Sequence, residues 1–292
     1  MESRECLIVG VLNCTPDSFA DGGRWGSVDA AVAAGIAMVE AGADWIDVGG
    51  ESTRPRAPVI PVEEELRRVV PVVERLAKEL GARARISIDT YKAETAGAAL
   101  QAGASVVNDV SGGLLDPAIL GVAARAEAAV VVGHLRGTPA HMMDDVAFDD
   151  VVAEVAGELA VRIAAAWDAG CREVWADPGI GFGKRAEHSL ALLGELPALI
   201  EALGVPVMVG VSRKSFLGHV TGKPVGERVL GTAAAVAACV LAGARAVRVH
   251  DVAEMHDVVR VARAIRDGGR PTKSRSEAPL PRPRGIRSPS PP

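Results

Sequence analysis

One unit recurs eight times along the chain: a short apolar run rich in β-branched residues, a polar or glycine-rich turn, then a longer helical stretch. The apolar runs fall at 7–13, 45–50, 85–90, 105–110, 129–135, 173–179, 206–211 and 246–251. They are continuously hydrophobic, as expected of parallel strands covered by helices. Helical stretches fall near 27–42, 62–81, 92–103, 116–127, 147–169, 186–203, 225–243 and 252–268. In the second, Leu66, Val69, Val70, Val73, Leu76 and Leu80 recur at three- and four-residue spacing, the stripe of a core-facing helix. Gly81 closes that stretch as a C′ residue, and Pro71 inside it predicts a kink or break.

Eight βα units predict a closed (β/α)8 barrel, an α/β fold of one domain. The rival is a doubly wound open sheet, which would gather its polar strand ends at one switch point. Here all eight strands end in polar or glycine-rich sequence, as when every strand top surrounds one central site. The barrel is assigned to residues 1–270. From 271 to 292 there are seven prolines, four serines and four arginines. Such a segment cannot bury enough surface to offset its ordering entropy, so it is expected to be a disordered tail.

Composition narrows the picture. Apolar residues make up 49% of the chain and aromatics only 3%, so the core is expected to be built from Val, Ala, Leu and Ile. A net charge of −5 argues against a nucleic-acid binder that works by bulk charge. Cys6, Cys14, Cys171 and Cys239 form no CxxC pair and read as free thiols of a reducing compartment, hence a cytoplasmic protein. The run 6–12 is too short for a secretory h-region, and the uncharged run 229–244 is too short to span a membrane.

The chemistry gathers at the strand ends. The first strand runs into Asn13-Cys14-Thr15-Pro16-Asp17-Ser18-Phe19, which suits a mobile loop closing over a ligand. The second runs into Asp47-Val48-Gly49-Gly50-Glu51-Ser52-Thr53-Arg54-Pro55, where Arg54 can bind an anion or form a surface ion pair. Strands three and four contribute Asp89, Asn108 and Asp109. The sixth contributes Asp177-Pro178-Gly179-Ile180-Gly181-Phe182-Gly183-Lys184, which fits neither a P-loop nor a dinucleotide fingerprint. A carboxylate beside flexible glycines and Phe182 suits a flat heterocycle with paired N–H donors. Strand seven ends in Ser212-Arg213-Lys214-Ser215. Strand eight ends in Arg248-Val249-His250, where alternation turns Arg248 and His250 into the barrel. Lys214, Arg248 and His250 would be cationic donors where barrels often bind phosphate. His134 reads as a residue lining the site. Zinc spacing and a GxSxG elbow are both missing from the sequence.

Together these segments resemble dihydropteroate synthases, from about Leu7 to Asp267. The specific parts are Asn13 to Phe19, Gly50 to Pro55, and Asp177 to Lys184 followed by Ser212-Arg213-Lys214. The resemblance implies condensation of 6-hydroxymethyl-7,8-dihydropterin pyrophosphate with p-aminobenzoate, with Mg2+ as cofactor and a homodimer as assembly. It implies that Asp89, Asn108, Asp177 and Lys214 hold the pterin, and that Arg248 lies over its ring and reaches the pyrophosphate. His250 and Asn13 would contact the pyrophosphate, Asn13 through the metal. Thr53, Arg54, Pro55, Phe182 and Ser215 would border p-aminobenzoate, with Asp17 and Phe19 on the first mobile loop. Cys14 and the Gly133-His134-Leu135 segment depart from the family pattern. Two alternatives stay open at this point: a barrel passing a methyl group from methyltetrahydrofolate to a corrinoid, and a non-catalytic pterin-binding homologue.

Overall fold

The computed structural model describes residues 5–15 and 24–268. The first loop beyond Thr15, with Asp17 and Phe19, and the segment from 269 onward, with the expected tail, lie outside the described residues.

Eight parallel strands alternate with helices: β1 (Leu7–Asn13), α1 (Arg24–Glu40), β2 (Trp45–Gly49), α2 (Val62–Leu80), β3 (Arg85–Asp89), α3 (Ala93–Gln101), β4 (Val106–Asp109), α4 (Ala118–Arg125), β5 (Ala129–Gly133), α5 (Val151–Asp168), β6 (Val174–Asp177), α6 (Ala186–Gly194), α7 (Leu196–Leu203), β7 (Met208–Gly210), α8 (Ser215–Thr221), α9 (Val229–Ala242), β8 (Ala246–Val249) and α10 (Val252–Arg266). The strands run in the order β6-β5-β4-β3-β2-β1-β8-β7. A bridge between Ala176 and Val207 joins the two ends, so the sheet closes on itself as the eightfold repeat predicts.

Three helical expectations change. The helix α2 runs unbroken through Pro71, because Val69, Val72, Val73, Leu76 and Leu80 bury one stripe on both sides of it. The stretch 186–203 divides at Glu195 into α6 and α7, with Pro197 in the first turn of α7, where its missing N–H costs nothing. The turn after β7 holds a helix, α8, only seven residues long and too short for a periodicity signal.

Burial sorts the strand residues by parity. The larger core, mostly Val, Leu, Ile and Ala, lies between strands and helices. The inward positions form a second cluster of Val9, Trp45, Val106, Ala129, Val131, Trp175, Met208 and Ala246. An all-aliphatic core was expected, yet two tryptophans meet inside the barrel, Trp45 and Trp175, edge to face with centroids 5.1 Å apart. Arg85 covers the Trp45 ring and pairs with Glu173 at 2.9 Å. This plug fills the N-terminal half of the lumen. The next inward layer, toward the strand C-termini, takes polar side chains from five of the eight strands.

Candidate active site

That layer comprises Asp47, Asp89, Asn108, Asp177 and Arg248, with Gly133 and Gly210 leaving room between them. Register fixes the neighbours: Asp89 lies beside Asn108, Gly133 beside Asp177, and Gly210 beside Arg248. All of the layer's residues but the buried Asp47 line one cleft, whose wall also includes His134, Ile180, Phe182 and Lys214.

Arg248 organises one side. Its Nε donates to Asp47 Oδ2 at 2.5 Å and a terminal nitrogen donates to Asp89 Oδ2 at 2.6 Å. Asn108 Nδ2 donates to the same Asp47 oxygen at 3.0 Å. Burial opposes the Arg248 charge, but Asp47 and Asp89 outweigh it and hold its pKa above the ordinary value. Asp89 is pushed up to about 7 by burial, opposed by Arg248 and aided by the Asp47 charge. Sequence reading placed Asp47 near the mouth without giving it a role; its inward parity with Trp45 was the signal. Asp109, one residue past Asn108, points the other way and takes the N–H groups of Ser111 and Gly113.

Asp177 organises the opposite side. Its Oδ1 accepts the Gly179 N–H at 2.7 Å. Its carboxyl is pushed up by burial, with Gly179, Lys214 and Arg248 acting against the shift. Lys214 Nζ lies 3.9 Å from the Phe182 ring centroid, and burial lowers its pKa to about 8. The glycines after Asp177 lie in a hydrogen-bonded turn. Gly179 has φ +66°, and a Cβ there would sit 2.0 Å from the His134 carbonyl oxygen. The turn is pinned from behind by Lys184, whose ammonium donates to the carbonyls of Gly179 and Phe182.

The remaining sequence candidates fall around this pocket without lining it. His250 is not a cation here: burial, then Arg248, lowers its pKa to about 4. Its Nδ1 lies 3.0 Å from Ser212 Oγ. Because that oxygen also takes the His250 backbone N–H, the hydroxyl is free to donate to Nδ1, which leaves Nε2 as the donor. Ser215 is exposed at the start of α8. The preceding turn is clamped by Arg228, which donates to the carbonyls of Arg213 and Lys214. Asn13 ends β1, half-buried. Thr53 is half-buried, while Arg54 and Pro55 are exposed. Glu51 is buried and accepts from Tyr91, Lys92 and the Ile60 N–H, so it ties down the base of the 52–59 loop.

A family described as pterin binding enzyme matches residues 9–250. The dihydropteroate synthase of Synechocystis sp. is 43% identical over 265 residues, covering 90% of this chain and 91% of that protein. This chain belongs to the dihydropteroate synthase family. Two solved structures from Xanthomonas albilineans extend the likeness. The dihydropteroate synthase with 4-aminobenzoic acid superposes with a TM-score of 0.83 at 45% identity, covering 89% of this chain and 93% of the other. The same enzyme in complex with 7,8-dihydropteroate gives 0.79 at 43%, covering 89% and 94%. Dihydropteroate synthases are transferases, and this chain has their barrel. Among the described residues no helix is long and apolar enough to cross a membrane, and all four cysteines are free and buried.

Proposed function

We propose that this chain joins 6-hydroxymethyl-7,8-dihydropterin pyrophosphate to p-aminobenzoate by ionising the pterin methylene C–O bond before the amine attacks. One observation carries the reading. Asp177 offers a carboxylate to a pocket walled by Phe182 and Lys214 on one side and by Arg248 on the other. A pterin edge presents a ring N–H and an exocyclic NH2, and a carboxylate accepts both in bidentate fashion. Asn108 and Asp89 border the rest of the heterocycle, and Phe182 gives a face to stack on. Phe182, Thr53, Arg54, Pro55 and Ser215 border the arylamine, and Asp17 and Phe19 are further candidates outside the described residues.

In this scheme the C–O electron pair leaves with the pyrophosphate, the amine nitrogen bonds to the methylene carbon, and the ammonium proton is lost to solvent or pyrophosphate. Arg248 and Lys214 stabilise the departing anion, and His250 contributes a neutral N–H donor. The arylamine is a weak base, so the step needs no strong general base; His134, with a pKa lowered to about 2 by burial and by Lys184, is not one. Excluding water protects the cation from hydrolysis.

The donor set suits Mg2+ of the kind that binds through substrate. Among the described residues no group of three or more His, Cys, Asp or Glu could hold a metal. Asn13 would give one hard oxygen, with pyrophosphate oxygens and waters as its companions. When bound, the ion neutralises pyrophosphate charge. A homodimer in the cytoplasm completes the proposal.

The test is turnover by the purified chain with both substrates and Mg2+, following dihydropteroate and pyrophosphate together. Equal release of both products is expected. Absence of dihydropteroate would overturn the reading.

A further inference from the structure

Lys184 is one of the largest fully buried side chains, at 2% exposure, yet it does not line the cleft. Its Nζ has four acceptors: His134 Nδ1 at 2.8 Å, Phe182 O at 3.0 Å, Gly179 O at 3.1 Å and His134 O at 3.4 Å. An ammonium has three protons to give and is satisfied there. Because His134 accepts at Nδ1, its Nε2 carries the hydrogen and meets Glu158 Oε2 at 3.1 Å. Glu158 sits half-buried on α5, between Arg136 and Arg162. Arg162 in turn donates to the carbonyls of Gly133 and Leu135, the backbone on either side of His134. One chain of hydrogen bonds therefore runs from the surface of α5, through the end of β5, to the turn behind Asp177.

We propose that Lys184 is a positioning residue for the pterin pocket: its buried ammonium pins the turn carrying Gly179, Ile180 and Phe182 and holds a positive charge behind Asp177. A buried lysine needs compensation for its lost hydration, and an uncharged residue would fill the space at lower cost. What the charge gives in return falls on Asp177, which must be ionised to accept two donors although burial pushes its pKa up. Lys214, Arg248 and, in smaller measure, Lys184 are the cations that act against that shift. Burial also brings the Lys184 pKa down to about 7, with Asp177 and Glu158 supporting its charge and Arg162 and Lys214 opposing it. The tether and the charge act on the same carboxylate, because Gly179 gives its N–H to Asp177 and its carbonyl to Lys184.

The inference rests on the proposed reaction, so the experiment has separable arms. Wild-type turnover tests the reaction. Lys184→Met tests the inference, read as the KM for pterin pyrophosphate, the pH profile of kcat/KM and the affinity for a free pterin by calorimetry. Removing the cation raises the Asp177 pKa, so the Asp177 limb moves to higher pH, while the limb of Asp89, which burial beside Arg248 and Asp47 pushes up to about 7, stays where it is. A rise in KM of about tenfold, which is about 1.4 kcal/mol, and a displacement of the acid limb to higher pH are expected. In an Asp177→Asn background the same substitution should change pterin affinity less than about twofold, since residues acting through one another are not additive. An unchanged KM and acid limb in folded Lys184→Met would overturn the proposal, as would a fully additive loss in the double variant. If Lys184→Met does not fold, Glu158→Ala replaces it. That change frees His134 to turn a hydrogen toward Lys184, and it should move the acid limb the same way; an unmoved limb overturns the proposal. If the wild type makes no dihydropteroate, pterin calorimetry on the same variants decides.

Discussion

Arg248 and Asp47 are paired at 2.5 Å across the barrel lumen, although β1 separates their strands. The pair is a tie between non-neighbouring strands at the floor of the cleft. Asp47 is fully buried, and its Oδ1 has no partner among the described residues, so Arg248 and Asn108 are what compensate the charge.

Arg248→Met should therefore cost stability as well as activity. Removing one member of a buried pair leaves the other charge uncompensated, at about 3–5 kcal/mol. Asp47 and Asp89 would then be two carboxylates without their shared cation, and the Asp89 carboxyl, already raised by burial, would lose the charge that opposes that shift. Protonation on acidification relieves the repulsion, so the melting deficit should be larger at pH 8 than at pH 5.5. Paired melting curves across that range check this; a deficit independent of pH would mean that the carboxylates are compensated by something else.

The fold and the polar layer of the lumen were legible because both follow period-two alternation. Trp45 and Asp47, Val106 and Asn108, Trp175 and Asp177, and Ala246 and Arg248 share a parity, so the lumen plug and the polar layer above it belong to one pattern. Lys184 was less visible. It follows three glycines in a turn, where alternation carries no information, and its partner His134 lies 50 residues away. Glu158 sits on a helix face like any solvated acid, and only the packing of α5 against β5 reveals it. The charge state of His250 was also beyond the sequence, since burial beside Arg248 decides it.

Lys214 is expected to set a basic limit on pterin capture. Burial lowers its pKa to about 8, so the ammonium is present below that pH and lost above it. kcat/KM for pterin pyrophosphate should fall as pH rises past about 8, since this parameter reports groups of the free enzyme. Lys214→Arg keeps a cation at every working pH, so whatever activity it retains should lack that basic limb. A limb that persists unchanged in Lys214→Arg would assign it elsewhere.

Arg54→Ala and His250→Ala should fail differently. Arg54 is exposed, its guanidinium is in no ion pair among the described residues, and it lies on the loop assigned to the arylamine. Its loss should raise the p-aminobenzoate KM and leave the melting temperature unchanged. His250 is held by Ser212 beside Arg248 and is assigned to pyrophosphate. Its loss should weaken use of pterin pyrophosphate. Steady-state kinetics with each substrate varied in turn separates the two, and identical defects would undo the division.

Asp177→Asn tests the pterin assignment most directly. In the native side chain one oxygen already takes the Gly179 N–H, at 2.7 Å. An asparagine can keep that bond with its single acceptor only by turning its NH2 into the pocket. There it would meet the N–H donors of the pterin edge, so donor faces donor where a carboxylate had accepted. Leaving a buried donor unpaired costs about 1–3 kcal/mol, and losing the charged acceptor adds to that. At about 1.4 kcal/mol per factor of ten, pterin affinity should drop roughly ten- to a thousandfold. Folding should survive, because the amide nearly matches the carboxylate in size and the Gly179 bond is retained. Burial raises the Asp177 pKa, so the native protein pays a desolvation cost that the amide avoids, and the melting temperature of the variant should equal or exceed that of the wild type. Calorimetric titration with a pterin, beside melting curves of both proteins, is the measurement. Wild-type affinity in the folded variant would remove Asp177 from the pterin edge, and with it the orientation assigned to Phe182 and Lys214.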